Sequence, residues 1–188
     1  MTNNDNEQTN KEMRAVTHSG NLHADDVFAS AVLRIVYPGI EIQRTRNQEE
    51  IDSADIVFDV GQVYDTENKR FDHHQTGGAG ERENGIPYAA FGLVWKEYGE
   101  KICGTREAAE IIDYKIAMPI DAIDNGVDIC HPNDFHVMPY SIQQVFSAFI
   151  PDWSQDEDLD DVFKKLSDLA LTILKKEIAH AQSFIHAK

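Results

Sequence analysis

An acidic residue followed by two histidines, Asp72-His73-His74, is the stretch of the sequence whose residue types most clearly indicate chemistry. Neutral imidazole binds divalent transition metals well, and an adjacent carboxylate can orient the imidazole ring. Because the chain contains only 8 histidines, a consecutive pair of them without a role would be unusual. The stretch therefore predicts a metal-binding site.

Three further groups of ligand-type residues accompany this stretch, and the four groups together predict a two-metal hydrolytic site. The further groups are His18 with His23 and Asp25, Asp59 at the end of an apolar run, and Asp121 with Asp124. Each group alone has an ordinary explanation, because helix caps, turns and solvated helix faces use the same residue types. The combination is far more specific than any of its members.

Other clusters fit metal or phosphate chemistry less well. Cys130, His131 and His136 would supply zinc-type ligands, but their spacing matches no closed tetrahedral pattern and suits an ordinary loop. The glycine-rich stretch at residues 77–80 lacks the lysine and the following serine or threonine of a P-loop. No His-Glu-x-x-His helix is present, which argues against a metallopeptidase.

The elements that must position these residues are strands alternating with helices. This pattern predicts an α/β fold with a mostly parallel sheet flanked by helices. Strands are predicted at 13–18, 40–45, 54–60 and, as a short extended stretch, 69–71. Helices are predicted at 24–37, 48–53, 88–98, from Thr105 through a kink at Pro119 to Asn125-Gly126, from Ser141 to about residue 150, and at 159–186.

The ends of the predicted strands coincide with the candidate ligands. His18, Asp59 and the His73-His74 pair each end or follow a predicted strand. In open sheets of this type, ligands bind outside the carboxyl ends of the strands. We therefore expect these side chains to meet at one edge of the sheet.

Length and composition bound the remaining possibilities. The 188 residues, 41% hydrophobic and 27% charged, indicate one soluble globular domain over residues 13–188, preceded by a polar, disordered tail at residues 1–12. No apolar stretch approaches the length of a membrane span. The two cysteines form no metal-type pair, so we expect a reduced, cytoplasmic setting.

The charge of the chain restricts the kinds of nucleic acid that it would bind. Its formal net charge of −16 argues against a general duplex-binding surface, which would be basic. A nuclease is not excluded, because bound divalent metals can invert the local field inside an acidic pocket.

The motifs also carry a resemblance to a known family. Asp72-His73-His74, a histidine-rich first motif and Asp59 resemble the DHH phosphoesterase superfamily. A more complete set of motifs is similar to the melanocyte-proliferating-gene exonuclease family, from roughly Ala15 to the end of the chain. These motifs are Thr17-His-Ser-Gly-x-x-His23-x-Asp25, Arg44-Thr-Arg46, Phe58-Asp-Val-Gly61, Phe71-Asp-His-His-Gln75, Phe91-Gly-Leu-Val-Trp-Lys96 and Ile120-Asp-Ala-Ile-Asp-Asn-Gly126.

The resemblance implies a manganese- or magnesium-dependent phosphoesterase of the DHH type, with 3′-to-5′ exonuclease activity on RNA. Two ions would share Asp59 as a bridging carboxylate. The remaining ligands would be His18 and His23 for the first ion, and Asp25, His73 and Asp124 for the second. Mixed nitrogen and oxygen ligands favour Mn²⁺ over Mg²⁺, which prefers oxygen and water.

The remaining site residues are assigned from the same resemblance. His74 would contact the scissile phosphate or serve in proton transfer, and Asp72 would orient a histidine. Arg44, Arg46 and Gln75 would bind substrate. Asp121 is a further partner for Asp124.

Members of the family that the chain resembles are longer, and we expect their second domain to be absent or truncated here. We therefore expect a single DHH domain that ends in a long helix and acts on short single-stranded RNA or nucleotides, with a homodimer as its assembly and no membrane partner. Two alternatives stay open: a small-molecule phosphatase or pyrophosphatase, and a non-catalytic metal-binding module.

Overall fold

The computed structural model describes residues 13–132, 134–152, 154 and 156–187, so the tail predicted at residues 1–12 lies outside the described residues. The strands are β1 (Arg14–Thr17), β2 (Glu41–Arg44), β3 (Ile56–Phe58), β4 (Tyr64–Asp65) and β5 (Arg70–Phe71). The helices are α1 (Ala24–Val36), α2 (Gln48–Ser53), α3 (Ala90–Cys103), α4 (Arg106–Ile112), α5 (Met118–Asp124), α6 (Ile142–Ser147) and α7 (Leu159–His186).

The five strands form one sheet in the order β2-β1-β3-β5-β4. All neighbouring strands are parallel except β4, which runs antiparallel to β5. This sheet confirms the predicted α/β fold. From β1 the chain crosses to β2 on one side and then returns to β3 on the other, so the carboxyl ends of β1 and β3 flank a topological switch point, the usual ligand crevice of such sheets.

Helices cover both faces of the sheet. The main core lies between the sheet and α1, whose residues from Ala24 to Leu33 are all buried and which packs against α3 and α7. The ring of Phe28 on α1 lies 5.3 Å from that of Phe91 and 5.8 Å from that of Phe146. On the opposite face, a smaller apolar cluster joins Ile51 of α2 to Val16 and Val57 of the sheet. The adjacent strands therefore have two buried faces, which explains their continuous apolar sequences.

The predicted helix at residues 88–98 is wrong at its end, because α3 continues through Gly99 to Cys103. Gly99 is a packing position within the helix: a Cβ atom there would lie 2.7 Å from the indole of Trp95. The helix ends instead at Gly104, which has a left-handed φ of 77°.

The predicted helix that begins after Thr105 is divided into three parts. A π-helical turn at Asp113–Ala117 joins α4 to α5, and Pro119 lies in the first turn of α5. Proline has no backbone N–H to donate to the preceding turn, and a change of helical register precedes Pro119, the residue at which the sequence predicts a kink. The predicted end at Asn125-Gly126 is confirmed, since Asn125 is the C-cap of α5.

Two helices have the bounds that the sequence predicts, α2 at Gln48–Ser53 and α7 at Leu159–His186. The short helix after Ser141 stops at Ser147, earlier than predicted. Within the described part of the chain, no helix combines the length and the apolar character that crossing a membrane requires.

Candidate metal centre

Three neighbouring strands deliver the candidate ligands to one edge of the sheet. His18 directly follows β1, Asp59 directly follows β3, and Asp72 directly follows β5. Because these strands are adjacent and parallel, their carboxyl ends lie side by side. The sheet itself therefore brings the three segments together, as the sequence predicts.

His18 is buried and faces two carboxylates. Its Nδ1 donates to the carbonyl oxygen of Ser19 at 3.3 Å, so in the neutral ring Nε2 carries a lone pair. This Nε2 lies 3.1 Å from Oδ2 of Asp59 and 3.5 Å from Oδ2 of Asp26. A lone pair that faces carboxylate oxygens at this distance is repelled by them unless a proton or a cation lies between the groups.

His73 repeats this arrangement on the other side of Asp59. Its Nε2 lies 3.3 Å from Oδ1 of Asp59 and 3.3 Å from Oδ2 of Asp124. The other oxygen of Asp124 lies 3.5 Å from Nδ1 of His23. Asp59 is thus the carboxylate that stands between the two histidines, with one oxygen toward each.

Both carboxylate oxygens of Asp59 are buried and, among the described residues, neither has a hydrogen bond of good geometry. Burial alone would raise the pKa of Asp59, but the close contacts with His18 and His73 lower it to about 2. The backbone of Asp59 has a left-handed φ of 54°, a conformation that aspartate tolerates better than most residues. An ionised, unsatisfied carboxylate in a strained loop is typical of a functional position.

The ligand atoms form three overlapping groups, and within each group all atoms lie within 4.8 Å of one another. The groups are His18, His23 and Asp59; Asp25, His73 and Asp124; and Asp59, Asp72, His73 and His74. All six residues that the sequence predicts as metal ligands are brought together. Unsatisfied buried oxygens beside imidazole nitrogens fit divalent cations with mixed nitrogen and oxygen ligands.

Burial and repulsion between carboxylates dominate the electrostatics of the cluster. Burial raises the pKa of Asp25 and Asp124, and repulsion from Asp59 raises both further. Burial lowers the pKa of His18 and His73, but contact with Asp59 more than offsets this effect, so both pKa values lie above the usual histidine value. Positive charge between these groups would relieve the repulsion.

Asp25 has a second function beside its place in the cluster. Its two carboxylate oxygens accept the backbone N–H groups of Ala90, at 3.0 Å, and Phe91, at 2.7 Å. These are the first residues of α3, whose own N-cap, Ala89, supplies no side-chain hydrogen bond. Asp25 therefore fixes the amino end of α3 while its remaining lone pairs face the cluster.

Asp121 does not face the cluster with Asp124, although the two residues share a short helix. One oxygen of Asp121 accepts the backbone N–H of Gly92 at 3.0 Å, and the other lies 2.8 Å from Nη1 of Arg82. Arg82 also binds Asp113 through two nitrogens. Asp121 is thus a buried support for α3 and α5, and the sequence alone does not identify Arg82 as its partner.

Asp26 is a carboxylate beside the cluster whose contact with His18 sequence reasoning misses. It is fully buried, and its Oδ1 accepts the backbone N–H of His23 at 3.0 Å. Its Oδ2 faces His18 and has no hydrogen bond among the described residues. Burial raises its pKa to about 7. In the sequence Asp26 is indistinguishable from an ordinary carboxylate in the first turn of a helix.

Asp72 holds the ring of His74. The sequence predicts that Asp72 orients a histidine, and His74 is the histidine that it contacts. Oδ1 of Asp72 lies 2.7 Å from Nδ1 of His74 and also accepts the backbone N–H groups of His73 and His74. Its Oδ2 accepts the backbone N–H of Gln62 at 2.5 Å. The hydrogen bond with Asp72 raises the pKa of His74. Nε2 is the nitrogen of His74 that Asp72 leaves unbound.

The three predicted substrate residues lie in different surroundings. Arg44 is buried, binding Asp160 at 2.7 Å and the carbonyl oxygen of Gly20 at 2.6 Å, so its guanidinium is already engaged in the fold. Arg46 is exposed beside the cluster. Gln75 donates from Nε2 to the carbonyl oxygen of Gly78 at 2.9 Å. Position therefore favours Arg46 over Arg44 for a substrate contact, and the role of Gln75 stays a prediction.

A cavity of about 470 Å³ opens beside the cluster. The cluster contributes one wall, and the loops after β1, β2 and β3 together with α2 contribute the others. The lining residues are His18, His23, Arg46, Gln48, Ile51, Asp59, Val60, Gly61, Gln62, Asp72 and His74. In contrast, Cys130, His131 and His136 belong to none of the ligand groups found among the described residues.

Comparison with known proteins identifies relatives of this chain. Residues 14–188 match the profile of the MYG1_exonuc family, an uncharacterised protein family (UPF0160). The MYG1 exonuclease of Homo sapiens is 32% identical over 181 residues, which cover 83% of this chain and 47% of that protein. The MYG1 exonuclease of Mus musculus is 31% identical over 178 residues, with the same coverage of 83% and 47%.

A more distant relative is the MYG1 protein of Dictyostelium discoideum, 28% identical over 179 residues that cover 87% of this chain and 54% of that protein. The chain thus spans about half the length of the curated relatives it matches, 47% of the mammalian proteins. No solved structure matches the chain significantly.

Proposed function

This chain belongs to the MYG1 exonuclease family, and from that premise we propose that it is a divalent-metal-dependent phosphodiesterase. The proposed substrate is short single-stranded RNA, from which single nucleotides are removed in the 3′-to-5′ direction. The relatives named as exonucleases support hydrolysis of nucleic acid. The geometry of the ligand cluster supports the proposal that this hydrolysis depends on metal.

One observation carries the metal proposal: the two buried oxygens of Asp59 lack good hydrogen bonds among the described residues, although His18 and His73 lie 3.1 and 3.3 Å away. This geometry is expected when a carboxylate and two imidazoles point toward a shared ion position instead of forming hydrogen bonds with each other. Two cations, one on each side of Asp59, would satisfy both oxygens and both imidazole nitrogens.

The residues that would hold the ions divide around Asp59. The first ion would take His18 and His23, and the second Asp25, His73 and Asp124, with Asp59 shared. We propose Mn²⁺ because imidazole nitrogens suit it better than they suit Mg²⁺. When bound, such a pair supplies Lewis acidity toward the phosphoryl oxygens and lowers the pKa of water.

The other residues of the cluster would act on the substrate directly. Asp72 holds Nδ1 of His74, so Nε2 of His74 is free to donate to a phosphate oxygen or to move a proton. The hydrogen bond with Asp72 raises the pKa of His74 above the usual histidine value, a direction that suits an acid that donates to the leaving oxygen. Arg46 would attract the phosphate of an incoming substrate.

A panel of substrates with defined metal content tests the proposal. The apo-protein should be inactive, and added Mn²⁺ should restore hydrolysis of dinucleotides and short RNA from the 3′ end. Products are separated by chromatography, and protection of the 3′ end reports the direction of attack. Hydrolysis that persists after chelation would contradict the metal proposal.

A small-molecule phosphatase or pyrophosphatase is the second candidate. The cavity favours it in one respect, because Arg46 is the only Arg or Lys among the residues that line the cavity. A single cation suits a small phosphate compound as well as the end of an oligonucleotide. Hydrolysis of mononucleotides or pyrophosphate, without cleavage of dinucleotides, would favour this candidate. Tight metal binding without any hydrolysis would favour a non-catalytic module.

A further inference from the structure

The cavity beside the cluster has an outer wall that the proposed chemistry does not use. Beyond the ligands and the Asp72–His74 pair, this wall consists of Arg46, Gln48, Ile51, Val60, Gly61 and Gln62. Its volume of about 470 Å³ lies within the range of roughly 300–1,000 Å³ that small-molecule pockets occupy. The question is which ligand these side chains would recognise.

Arg46 is held at one end and free at the other. Its Nε donates to the carbonyl oxygen of Ser19 at 3.0 Å, next to His18 in the chain. Its terminal guanidinium nitrogens have no partner among the described residues. Arg44, two residues earlier, uses both of its terminal nitrogens within the fold, on Asp160 and Gly20. Arg46 therefore presents a positioned and unsatisfied pair of donors to the cavity, a geometry that suits phosphate.

Two glutamine side chains add neutral hydrogen-bonding groups. Nε2 of Gln48 donates to Asp52 at 2.7 Å, which leaves Oε1 of Gln48 as an acceptor. Gln62 has a left-handed φ of 58°, and its backbone N–H is held by Asp72. The side-chain amide of Gln62 has no partner within the described part of the chain. The backbone of Gln62 is thus fixed by the same carboxylate that orients His74.

Between these polar groups the cavity has an apolar floor. Ile51 and Val60 are buried members of the small cluster beneath the sheet and also line the cavity. Gly61 packs against this floor, since a Cβ atom there would lie 3.3 Å from Cγ2 of Ile51. The cavity therefore combines one cation, one fixed acceptor, one free amide and an apolar surface.

We propose that this outer wall is a subsite for one nucleotide of the substrate, next to the scissile bond, an inference that rests on the proposed function. Arg46 binds a phosphate adjacent to the one at the cluster. Oε1 of Gln48 and the amide of Gln62 form hydrogen bonds with the polar edge of the base or ribose, and Ile51 and Val60 contact its apolar face.

The charge of the wall limits the ligand to a short one. Because Arg46 is the only Arg or Lys among the lining residues, the wall neutralises one phosphate and offers no track for a longer backbone. The glutamines distinguish a nucleotide from a bare phosphate, since inorganic phosphate has neither base nor ribose. A nucleoside monophosphate is the smallest ligand that would use the whole wall.

The test is a binding experiment that does not depend on turnover. Uridine and adenosine monophosphate, and separately inorganic phosphate, are titrated into the Mn²⁺-loaded protein by calorimetry. The variants are Arg46→Met, Arg46→Lys and Gln62→Ala. The control is Lys164→Met, because Lys164 lines a cavity of similar volume, about 520 Å³, on another part of the surface. Metal content is measured for every variant.

We expect Arg46→Met to weaken nucleotide binding about tenfold, with Arg46→Lys between it and the parent, because a lysine keeps the charge but loses the bidentate geometry. Gln62→Ala should weaken nucleotide binding but leave inorganic phosphate unchanged. Lys164→Met should bind both ligands as the parent does, and the metal content should stay constant throughout.

Equal affinity of the parent for nucleotide and inorganic phosphate would overturn the subsite, as would unchanged nucleotide binding in Arg46→Met and Gln62→Ala. Different results would contradict the proposed nuclease function. Should the parent bind nucleotides through this wall without cleaving any phosphodiester, the nuclease proposal is wrong and the subsite stands. Should it cleave RNA while the variants bind like the parent, only the subsite is wrong.

Discussion

Among single residues, Asp59 has the strongest physical signature. It combines burial, a pKa of about 2, a left-handed backbone and two carboxylate oxygens without good hydrogen bonds among the described residues. Alanine at this position would remove the charge and also strain the backbone, because alanine tolerates a positive φ less well than aspartate. Asparagine would remove the charge while tolerating the same backbone.

We expect the parent to bind about two Mn²⁺ ions per chain, as two-metal sites require, and Asp59→Asn to reduce the occupancy of both sites. Asp59→Ala should reduce it as well, with an added loss of stability. Elemental analysis after Mn²⁺ loading measures the occupancy. Asp156→Asn is the control, because Asp156 is an exposed carboxylate that belongs to none of the ligand groups found among the described residues. Parental metal content in Asp59→Ala would refute the bridging role.

His74→Ala should lower turnover while leaving metal content largely intact. The side chain of His74 is 54% exposed and bound to Asp72, whereas that of His73 is 7% exposed between two carboxylates. Loss of general acid–base catalysis typically costs about 10²–10⁴-fold in rate. Steady-state kinetics on a dinucleotide, with parallel metal analysis, measures both quantities. Loss of metal in His74→Ala, with metal retained in His73→Ala, would reverse the two roles.

Among the elements, the amino end of α3 connects the cluster to the rest of the fold. Its first backbone N–H groups are received by Asp25 from α1 and by Asp121 from α5. Gly92 permits this approach, because a Cβ atom there would lie 1.8 Å from Oδ2 of Asp121. Two carboxylates of different helices thus converge on one helix end, and Arg82 neutralises one of them.

Arg82→Met should destabilise the protein strongly, because Asp121 would remain buried without its cation. Breaking a buried ion pair from one side typically costs about 3–5 kcal/mol. Chemical denaturation measures the free energy of unfolding. The double variant Arg82→Met with Asp121→Asn should recover part of the loss, since it removes both charges. A single variant as stable as the parent would show that the pair contributes little.

The positions of the ligands could be predicted from sequence because they depend on local pattern. Apolar runs that end at His18 and Asp59 indicate strand ends, and parallel strands bring their carboxyl ends together. The helices α2 and α7 were equally predictable, since their termini have strong local signals such as the Asn47 and Asp158 caps.

The remaining features depend on contacts between distant segments. Gly99 resembles a helix stop until the ring of Trp95 is seen to pack on it. Asp26 resembles a helix-dipole carboxylate until β1 places His18 beside it. Arg82 lies in a glycine-rich loop whose sequence does not indicate that its guanidinium reaches Asp113 and Asp121. No local pattern encodes these three contacts, so sequence reasoning misses them.

For the molecule as a whole, charge determines which nucleic acids it would hold. A net charge of −16 provides no basic track for a long phosphate backbone, which needs many lysine and arginine contacts. We therefore expect rates per RNA end that stay flat or fall as the substrate lengthens, and little cleavage of duplexes. A length series of labelled RNA at fixed Mn²⁺ and salt measures these rates. A steep rise with length would point to a basic surface elsewhere.

The proposed metal site would link the stability of the fold to metal binding. With Mn²⁺ at 100 times its dissociation constant, one site would stabilise the fold by about 2.7 kcal/mol, or roughly 5–10 °C for a chain of this size. We expect chelation to lower the melting temperature of the parent by at least this order, and to have little effect on Asp59→Asn. Thermal denaturation with and without chelator measures the difference. Equal melting temperatures would contradict the linkage.

The repulsion between Asp25, Asp59 and Asp124 has a consequence for the protein in a cell. Chains that lack the metal would open more often, and proteases degrade opened chains in proportion to their population. If the cluster binds metal as proposed, the lifetime of the protein would then follow the supply of that metal, so that metal starvation would remove the protein itself and not only the proposed activity.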